Sequence, residues 1–428
     1  GVKPATVYAY VSRGQLRSRR TADGRHTEIP AADVQALGRR PARPVSPAVK
    51  SGATIRTAIT AITDRGPAYR GHLAVDLAGV VDFERVAELL WTGSLPEVTP
   101  SWEADPAVAV VVARALAVLP GHLLPIERLR VAVALAAAAD DLRGDLRPSA
   151  VTGTARGLMA VMAAAVEANP DGAPHAGAPG DEDGCGGPDR RSATAAASPA
   201  RLAAQMAQAL HPGSPPAWLE RVVDAAMVLL ADHEMAVSAV AARVAASARA
   251  DPYAVVAAGL AAGSGTRHAG ASLPIERWLG DWLAADGDSL PAIRGGDRTA
   301  GFGHAVYTSA DPRAARLLTV LSDHVSGPAE DRLEQIHRLL RRLERRGLPP
   351  PNIDLALAAV GVVAGMRPGA GEAIFVVART AGWIAHAVEE YDDDHLIRPR
   401  ALYTGPPTVP ADGATDRHRG RSPDHAPT

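Results

Sequence analysis

Apolar residues recur along most of this chain at spacings of three and four, which is the period of an amphipathic helix. The pattern is clear from Phe83 to Trp91, and a second long run of it extends from Ala203 to about Tyr391. Breaks in that run fall near Gly263, Gly295 and Pro349. Alanine dominates these runs and aromatic residues make up only 4% of the chain, a composition that favours closely packed helices over sheets. The sequence therefore predicts a mostly α-helical fold.

Segments that lack this pattern divide the chain. Residues 39–44 combine arginine with proline and are typical of a linker. Residues 169–200 consist mainly of Gly, Pro, Ala, Asp and Ser, so they cannot offset the entropy of ordering, and a low-complexity loop is predicted. The polar residues 406–428 predict a disordered tail. We therefore expect a module at residues 1–43 followed by a domain at residues 44–405.

Residues 1–43 carry nine Lys or Arg against three Asp or Glu, a net charge of +6, whereas the rest of the chain sums to −8. Their pattern predicts a short helix that ends at Gly14, a hairpin around Asp23-Gly24 and a second short helix from Pro30 to Leu37. This order resembles a partial winged helix-turn-helix of the MerR or excisionase type. The resemblance makes residues 2–16 the recognition helix, and its wing contains Arg17, Arg19, Arg20 and Arg25. Two interpretations stay open, namely DNA binding through residues 1–43 and a docking module with a solvated basic face.

The longest apolar stretch and the cysteine content indicate the cellular compartment of this protein. With 428 residues, of which 47% are hydrophobic, the chain can bury at least one large core. Its longest apolar stretch, Ala107 to Leu119, contains Arg114 and ends at Pro120, so it is too short and too charged to span a membrane. The single cysteine, Cys185, cannot form a disulfide within the chain, which fits a reducing compartment. We expect a cytoplasmic protein without a membrane segment.

Histidine, aspartate and arginine residues occur in short motifs along the second half of the chain. His268 and His304 lie in segments bounded by glycines, and His233 directly follows an aspartate. The motifs are Ala231-Asp232-His233-Glu234, Gly265 to Ala271, Gly301 to Tyr307, Asp311-Pro312-Arg313, Asn352-Ile353-Asp354, Ala378 to His386 and Arg398 to Gly405. By the order and spacing of these motifs, residues 51–405 resemble the citrate synthase family.

The resemblance implies a large helical domain, at about 51–267 and 361–405, and a smaller helical domain, at about 268–360, that closes over the active site. It also implies a transferase of the tricarboxylic acid cycle that condenses acetyl-CoA with oxaloacetate to give citrate and CoA. Acetyl-CoA would be a substrate, and no tightly bound cofactor is expected. A homodimer with shared active sites is implied as well, in which Arg398 binds the oxo acid in the partner's site.

The chemistry of this reaction accounts for the residue types. The methyl carbon of a thioester is a weak acid, so its deprotonation needs a base, which the resemblance assigns to Asp354, and a donor to the thioester oxygen, assigned to His268. His304 would polarise the ketone of the oxo acid, and His233 would add a hydrogen bond. Planar guanidinium groups suit the carboxylates, a role assigned to Arg313, Arg379 and Arg398. We expect helix-terminal N–H groups near His268 to keep its ring neutral.

Alternatives to these assignments follow from the same residues. Asp354 could instead cap the helix that follows it, and His233 could be a core histidine. No metal site is predicted, because the chain has no His-Glu-x-x-His pair and no cysteine cluster. Ala269 and Ser272 stand where the family usually has glycine and asparagine, and alanine fits there only if its φ is negative. The functional alternatives are a 2-methylcitrate synthase, which uses propionyl-CoA, and a DNA-binding regulator that senses CoA esters or oxo acids.

Overall fold

A computed structural model of the protein describes residues 18–20, 27–30, 55–167, 200–285, 300–393 and 395–406. The chain divides into two compact units, residues 1–56 and residues 57–428. The predicted loop at 169–200 and the predicted tail at 406–428 lie almost entirely outside the described residues. The proposed division of residues 44–405 into a large and a small domain stays a prediction.

The described part of the first unit is a β-hairpin. Strand β1 (Arg19–Arg20) pairs with β2 (Thr27–Glu28) in antiparallel register, with Arg19 opposite Glu28. This antiparallel pairing agrees with the predicted hairpin, whereas Asp23-Gly24 itself lies outside the described residues. The two predicted flanking helices also lie outside them, so the helix-turn-helix resemblance and DNA binding by residues 1–43 stay predictions.

A small antiparallel sheet opens the second unit. Its strands, in spatial order, are β3 (Thr60–Thr63), β4 (Gly66–Tyr69) and β5 (His72–Leu73). Gly66, with φ of +108°, permits the tight turn that reverses the chain after β3. Tyr69 is fully buried, and its hydroxyl lies 3.0 Å from the carbonyl oxygen of Val228 and 3.2 Å from that of Asp232. The sheet thereby attaches to the segment that precedes His233.

Helices make up most of the described second unit, which confirms the mostly α-helical prediction. They are α1 (Ala74–Leu77), α2 (Phe83–Thr92), α3 (Pro106–Ala117), α4 (Pro125–Ala139), α5 (Pro148–Ala165), α6 (Leu202–Leu210), α7 (Leu219–Leu230), α8 (Val237–Ser247), α9 (Pro252–Gly263), α10 (Ser272–Ala284), α11 (Pro312–His324), α12 (Pro328–Arg345), α13 (Ile353–Ala364) and α14 (Ala370–Asp392). Six of these fourteen begin with proline, which lacks an N–H group that the first turn could not satisfy anyway. None of the described helices is long and apolar enough to span a bilayer.

Helix α14 lies at the centre of the packing. Residues 370–387 are all buried, because α2, α5, α7, α8 and α9 pack around one part of the helix or another. Small residues dominate this stretch and let neighbouring helices approach closely. Helix α13 packs against α14 and is itself covered by α10, α11 and α12. Polar residues of α14 are nonetheless buried, among them Arg379, His386 and Glu390, and Arg379 belongs to the site described next.

Candidate active site

Three aromatic rings meet where loops between helices converge. His233 lies between α7 and α8, whereas His304 and Tyr307 lie in the loop before α11. The ring centre of His233 is 5.4 Å from that of His304 and 5.6 Å from that of Tyr307. Its Nε2 lies 2.9 Å from the Tyr307 hydroxyl. Burial, together with the charges of Arg313 and Arg379, holds the pKa of His233 well below its usual value, so this ring is neutral at neutral pH.

Arg313 lies beside this cluster in a fixed orientation. Its Nε and Nη2 donate to Asp311 at 3.0 and 2.8 Å, and both residues are buried. Asp311 also accepts the Ile353 N–H at 3.1 Å, which ties the loop to the start of α13. Such a bidentate pair fixes the guanidinium plane.

Both ring nitrogens of His304 lie beside donors. The Val306 N–H donates to Nδ1 at 3.1 Å, and Arg313 Nη2 lies 3.3 Å from Nε2. A neutral imidazole carries one N–H, so in either tautomer one of these two contacts sets a donor against a donor.

His268 precedes a short 3₁₀ turn at Ala269–Ala271. Its Nε2 lies 2.8 Å from the Ser238 hydroxyl, and its ring packs edge-on against Phe375 at 5.3 Å. Burial lowers the pKa of His268 to about 4, and the charges of Arg379 and Arg313 add to the shift. The expected neutral ring agrees with this pKa, but burial and the two guanidinium groups cause it, rather than helix-terminal N–H groups. Ala269 is absent from the residues with positive φ, so alanine is tolerated there.

Asp354 lies in the first turn of α13 and does not cap the helix. The cap is Asn352, whose side-chain oxygen accepts the N–H groups of Asp354 at 3.1 Å and Leu355 at 3.3 Å. Burial raises the pKa of Asp354 to about 7, although Arg313 and Arg379 oppose the shift. A carboxyl group with this pKa can exchange a proton near neutral pH.

Arg379 is a buried cation whose hydrogen bonding is incomplete. It is 1% exposed, and its Nε donates to the Leu230 carbonyl at 2.7 Å. Its Nη1 and Nη2 are buried and have no hydrogen-bond partner among the described residues. The guanidinium lies 4.7 Å from the Phe375 ring centre, and burial lowers its pKa to about 10, so the group stays charged. A buried cation with two unpaired nitrogens strongly favours an incoming carboxylate.

The structure thus brings together six of the seven residues singled out from the sequence, and Arg398 is the exception. Arg398 is exposed, next to Ile397, whose N–H donates to Ser247 at the carboxyl end of α8. Ser238, which contacts His268, lies at the opposite end of that helix. Within the described residues, no group of three or more His, Cys, Asp or Glu could hold a metal ion.

Sequence reasoning missed four residues that hold the site. Each one lies inside or beside a motif but carried no assigned role. They are Ser238, Tyr307, Asp311 and Asn352. Asn352 could have been found from its cap preference, since it directly precedes an apolar helical run. Ser238 could not, because 30 residues separate it from His268.

Replacing Ser238 by alanine is expected to lower turnover about fivefold, since the lost hydrogen bond is worth about 1 kcal/mol and frees the His268 ring. Steady-state rates would measure the change. Ser322→Ala on α11, an exposed serine whose hydroxyl bonds within its own helix, is the matched control. Equal rates in both variants would show that Ser238 does not orient His268.

Comparisons with known proteins point to one family. The family model described as citrate synthase, C-terminal domain, matches residues 49–400. The citrate synthase of Haloferax volcanii is 36% identical over 210 residues, which are 47% of this chain and 55% of that protein. Citrate synthase 2 of Bacillus subtilis is 34% identical over 192 residues, which are 42% of this chain and 50% of that protein. These alignments span about half the length of the relatives.

A solved structure shows the same fold over most of the chain. It is citrate synthase from Thermoplasma acidophilum in a ternary complex with carboxymethyl coenzyme A and oxaloacetate. The TM-score is 0.63 at 23% identity, and the match covers 84% of this chain and 96% of that one.

Proposed function

Because the chain belongs to the citrate synthase family, we propose that it condenses acetyl-CoA with oxaloacetate to give citrate and CoA. The observation that carries the proposal is Arg379, whose two buried, unpaired nitrogens lie in a site with neutral histidines and a carboxyl group of raised pKa. A dianionic oxo acid would supply the missing acceptors. The same site contains the donors and the base that carbon–carbon bond formation requires.

In this proposal the oxo acid binds first to the guanidinium groups. Arg379 offers both Nη atoms to a carboxylate, and Arg313 offers Nη2 beside Nε2 of His304. With the His304 proton on Nε2, an oxygen that accepts from these two nitrogens would be the ketone oxygen of oxaloacetate, where negative charge develops in the transition state. His233 completes the pocket as a neutral group. The partner's Arg398 would add a further carboxylate contact in a homodimer.

The thioester half of the reaction needs a base and a donor. Asp354, once ionised, takes a proton from the acetyl methyl group, and the neutral His268 ring stabilises the oxygen of the thioester as negative charge moves onto it. The resulting carbon nucleophile attacks the ketone carbon of the oxo acid, and the bond that forms gives a citryl thioester. Water then hydrolyses this thioester and releases CoA, which requires controlled access of water to the site.

Release of free thiol from acetyl-CoA in the presence of oxaloacetate tests the proposal. We expect release that depends on both substrates and is faster with acetyl-CoA than with propionyl-CoA. A preference for propionyl-CoA would instead identify a 2-methylcitrate synthase. Binding of either ligand without any thiol release would contradict catalysis and favour a regulator that senses these compounds.

A further inference from the structure

One face of α14 contacts in succession the three residues that precede His233, twice through hydrogen bonds and once through a close polar contact. The pairs are Arg379 Nε with the Leu230 carbonyl at 2.7 Å, the Gly382 N–H with the Ala231 carbonyl at 3.0 Å, and His386 Nε2 with Asp232 Oδ1 at 3.3 Å. Spacings of three and four place Arg379, Gly382 and His386 on one side of a helix. The turn between α7 and α8 is therefore held by this face.

Asp232 connects this face of α14 to His233. Its Oδ2 accepts the Glu234 N–H at 3.1 Å, and its carbonyl oxygen lies 3.2 Å from the Tyr69 hydroxyl. The peptide groups on both sides of His233 are therefore fixed by contacts of Asp232. Glu234 has φ of +52°, a left-handed conformation that costs energy for a residue other than glycine. The bond from Asp232 stabilises this conformation.

His386 is oriented with its ring N–H toward Asp232. Its Nδ1 lies 3.0 Å from Arg243 Nη1, and a guanidinium can only donate, so the ring proton is on Nε2. That Nε2 lies 3.3 Å from Asp232 Oδ1, an electrostatic contact rather than an aligned hydrogen bond, since neither atom has a hydrogen-bond partner in the part of the chain that the structure describes. Arg243 is held in turn by Glu389 and Glu390, each at 2.6 Å. His386 and Asp232 are fully buried, so the ring N–H helps to offset the cost of burying the carboxylate.

Gly382 provides the space that this contact needs. A Cβ atom on Gly382 would lie 2.4 Å from Asp232 Oδ1 and 2.6 Å from the Ala231 carbonyl oxygen. Any larger residue would have to displace the carboxylate. The absence of a side chain at Gly382 and the imidazole of His386 thus both fix the position of the Asp232 carboxylate.

We propose that His386 is a positioning residue for the oxo-acid site, acting through Asp232 to fix His233 at a set distance from Arg379. This role rests on the proposed function. The same helix face carries Arg379, whose guanidinium would bind a carboxylate, and His386, which fixes the opposite side of the pocket through Asp232. Oxaloacetate affinity therefore depends on a residue that the ligand does not touch.

Two substitutions test the two contacts of the His386 ring separately, that of Nδ1 with Arg243 and that of Nε2 with Asp232. His386→Gln keeps an N–H group that reaches the Nε2 position, whereas His386→Asn keeps only an acceptor near Arg243. We expect calorimetry with oxaloacetate to show about tenfold weaker binding for His386→Asn and a change within about twofold for His386→Gln, since small misplacements are costly. The KM for acetyl-CoA should not change in either variant. His122→Asn, an exposed histidine in the loop before α4, controls for the substitution itself.

Equal weakening in both His386 variants, or none in either, would overturn the proposal. Should His386→Asn fail to fold in a thermal melt, Gly382→Ala tests the same contact with His386 intact. That variant is expected to weaken oxaloacetate binding by a similar factor, and unchanged binding would count against the role. If the wild-type chain itself does not bind oxaloacetate, the proposed function fails rather than the positioning argument alone.

Discussion

Asp354→Asn is expected to lower turnover by at least about a hundredfold, because general-base catalysis contributes about a hundred- to ten-thousand-fold. The amide has nearly the shape of the carboxyl group but cannot accept the methyl proton. Oxaloacetate binding should persist, since Arg313 and Arg379 are unchanged. Thiol release together with oxaloacetate calorimetry would measure both effects. Retention of more than about a tenth of the wild-type rate would remove Asp354 from the base role.

The pH dependence of the wild type should report the same group. Burial raises the pKa of Asp354 to about 7, and the base acts only when ionised. The rate at saturating oxaloacetate should therefore rise with pH through about 7. A flat profile from pH 6 to pH 8 would show that proton abstraction by Asp354 does not limit the rate.

Asp354→Asn should raise thermal stability at a pH at which it lowers activity. A carboxyl group whose folded pKa lies above its unfolded value of about 3.9 favours folding below that value, and this contribution is lost as pH rises toward the folded pKa. Asp354→Asn removes the cost of burying the charge, so it should raise the melting temperature at pH 8 and leave it unchanged near pH 4.

Asp224→Asn is the matched control for both measurements. Burial also raises the pKa of Asp224 to about 7, and its carboxylate accepts the Phe83 N–H at the start of α2. The asparagine keeps that acceptor, so the variant should show a similar rise in melting temperature at pH 8. Its turnover should remain at the wild-type level. If both variants lost activity, the loss in Asp354→Asn would reflect general disturbance instead of a missing base.

Patterns among neighbouring residues in the sequence were sufficient to predict much of the candidate site. His268 and His304 lie in segments whose glycines mark loops, and Gly301 and Gly303 do adopt φ of +87° and +67°. The helical period likewise predicted a mostly helical chain. The Asp23-Gly24 pair indicated a hairpin, and the pairing of β1 with β2 agrees with it. These features depend on neighbours within a few residues, which a single sequence displays directly.

Contacts between distant residues could not be predicted in this way. The approach of Tyr69 to Asp232 joins residues 163 positions apart, and that of His386 to Asp232 joins α14 to the turn between α7 and α8. The sequence shows that these side chains are polar but not which others they meet. The cause of the low pKa of His268 is of the same kind, because it depends on burial and on Arg379. Packing decides such features, and packing is a property of the folded chain.

Arg398→Ala is expected to abolish nearly all turnover even though this arginine is exposed and apart from the other site residues in its own chain. Ile397 is fixed to Ser247, nine residues along α8 from Ser238, which corresponds to about 13 Å at 1.5 Å per residue. A role for Arg398 in the site therefore fits a second subunit better than its own. In a twofold homodimer each chain would lend its Arg398 to the partner and receive one in return.

Mixing two inactive variants tests this exchange. Neither the Arg398→Ala homodimer nor the Asp354→Asn homodimer has a complete site, since one lacks a carboxylate contact and the other lacks the base. In the mixed dimer, the subunit with intact Asp354 receives an intact Arg398, whereas the other site lacks both. Random pairing makes about half of the dimers mixed, and each mixed dimer has one complete site, so about a quarter of all sites should recover. Thiol release after joint unfolding and refolding would measure the gain.

The neighbouring Arg400 provides the discriminating control, because it is also exposed and lies two residues further along. If Arg400 binds the oxo acid instead, Arg398→Ala should keep its activity and Arg400→Ala should lose it. The Arg400→Ala variant should then recover on mixing with Asp354→Asn. If Arg398→Ala is inactive and mixed dimers form without any gain in turnover, Arg398 acts within its own chain. Its segment would then have to leave Ser247 when the oxo acid binds, and oxaloacetate should disrupt the Ile397 contact.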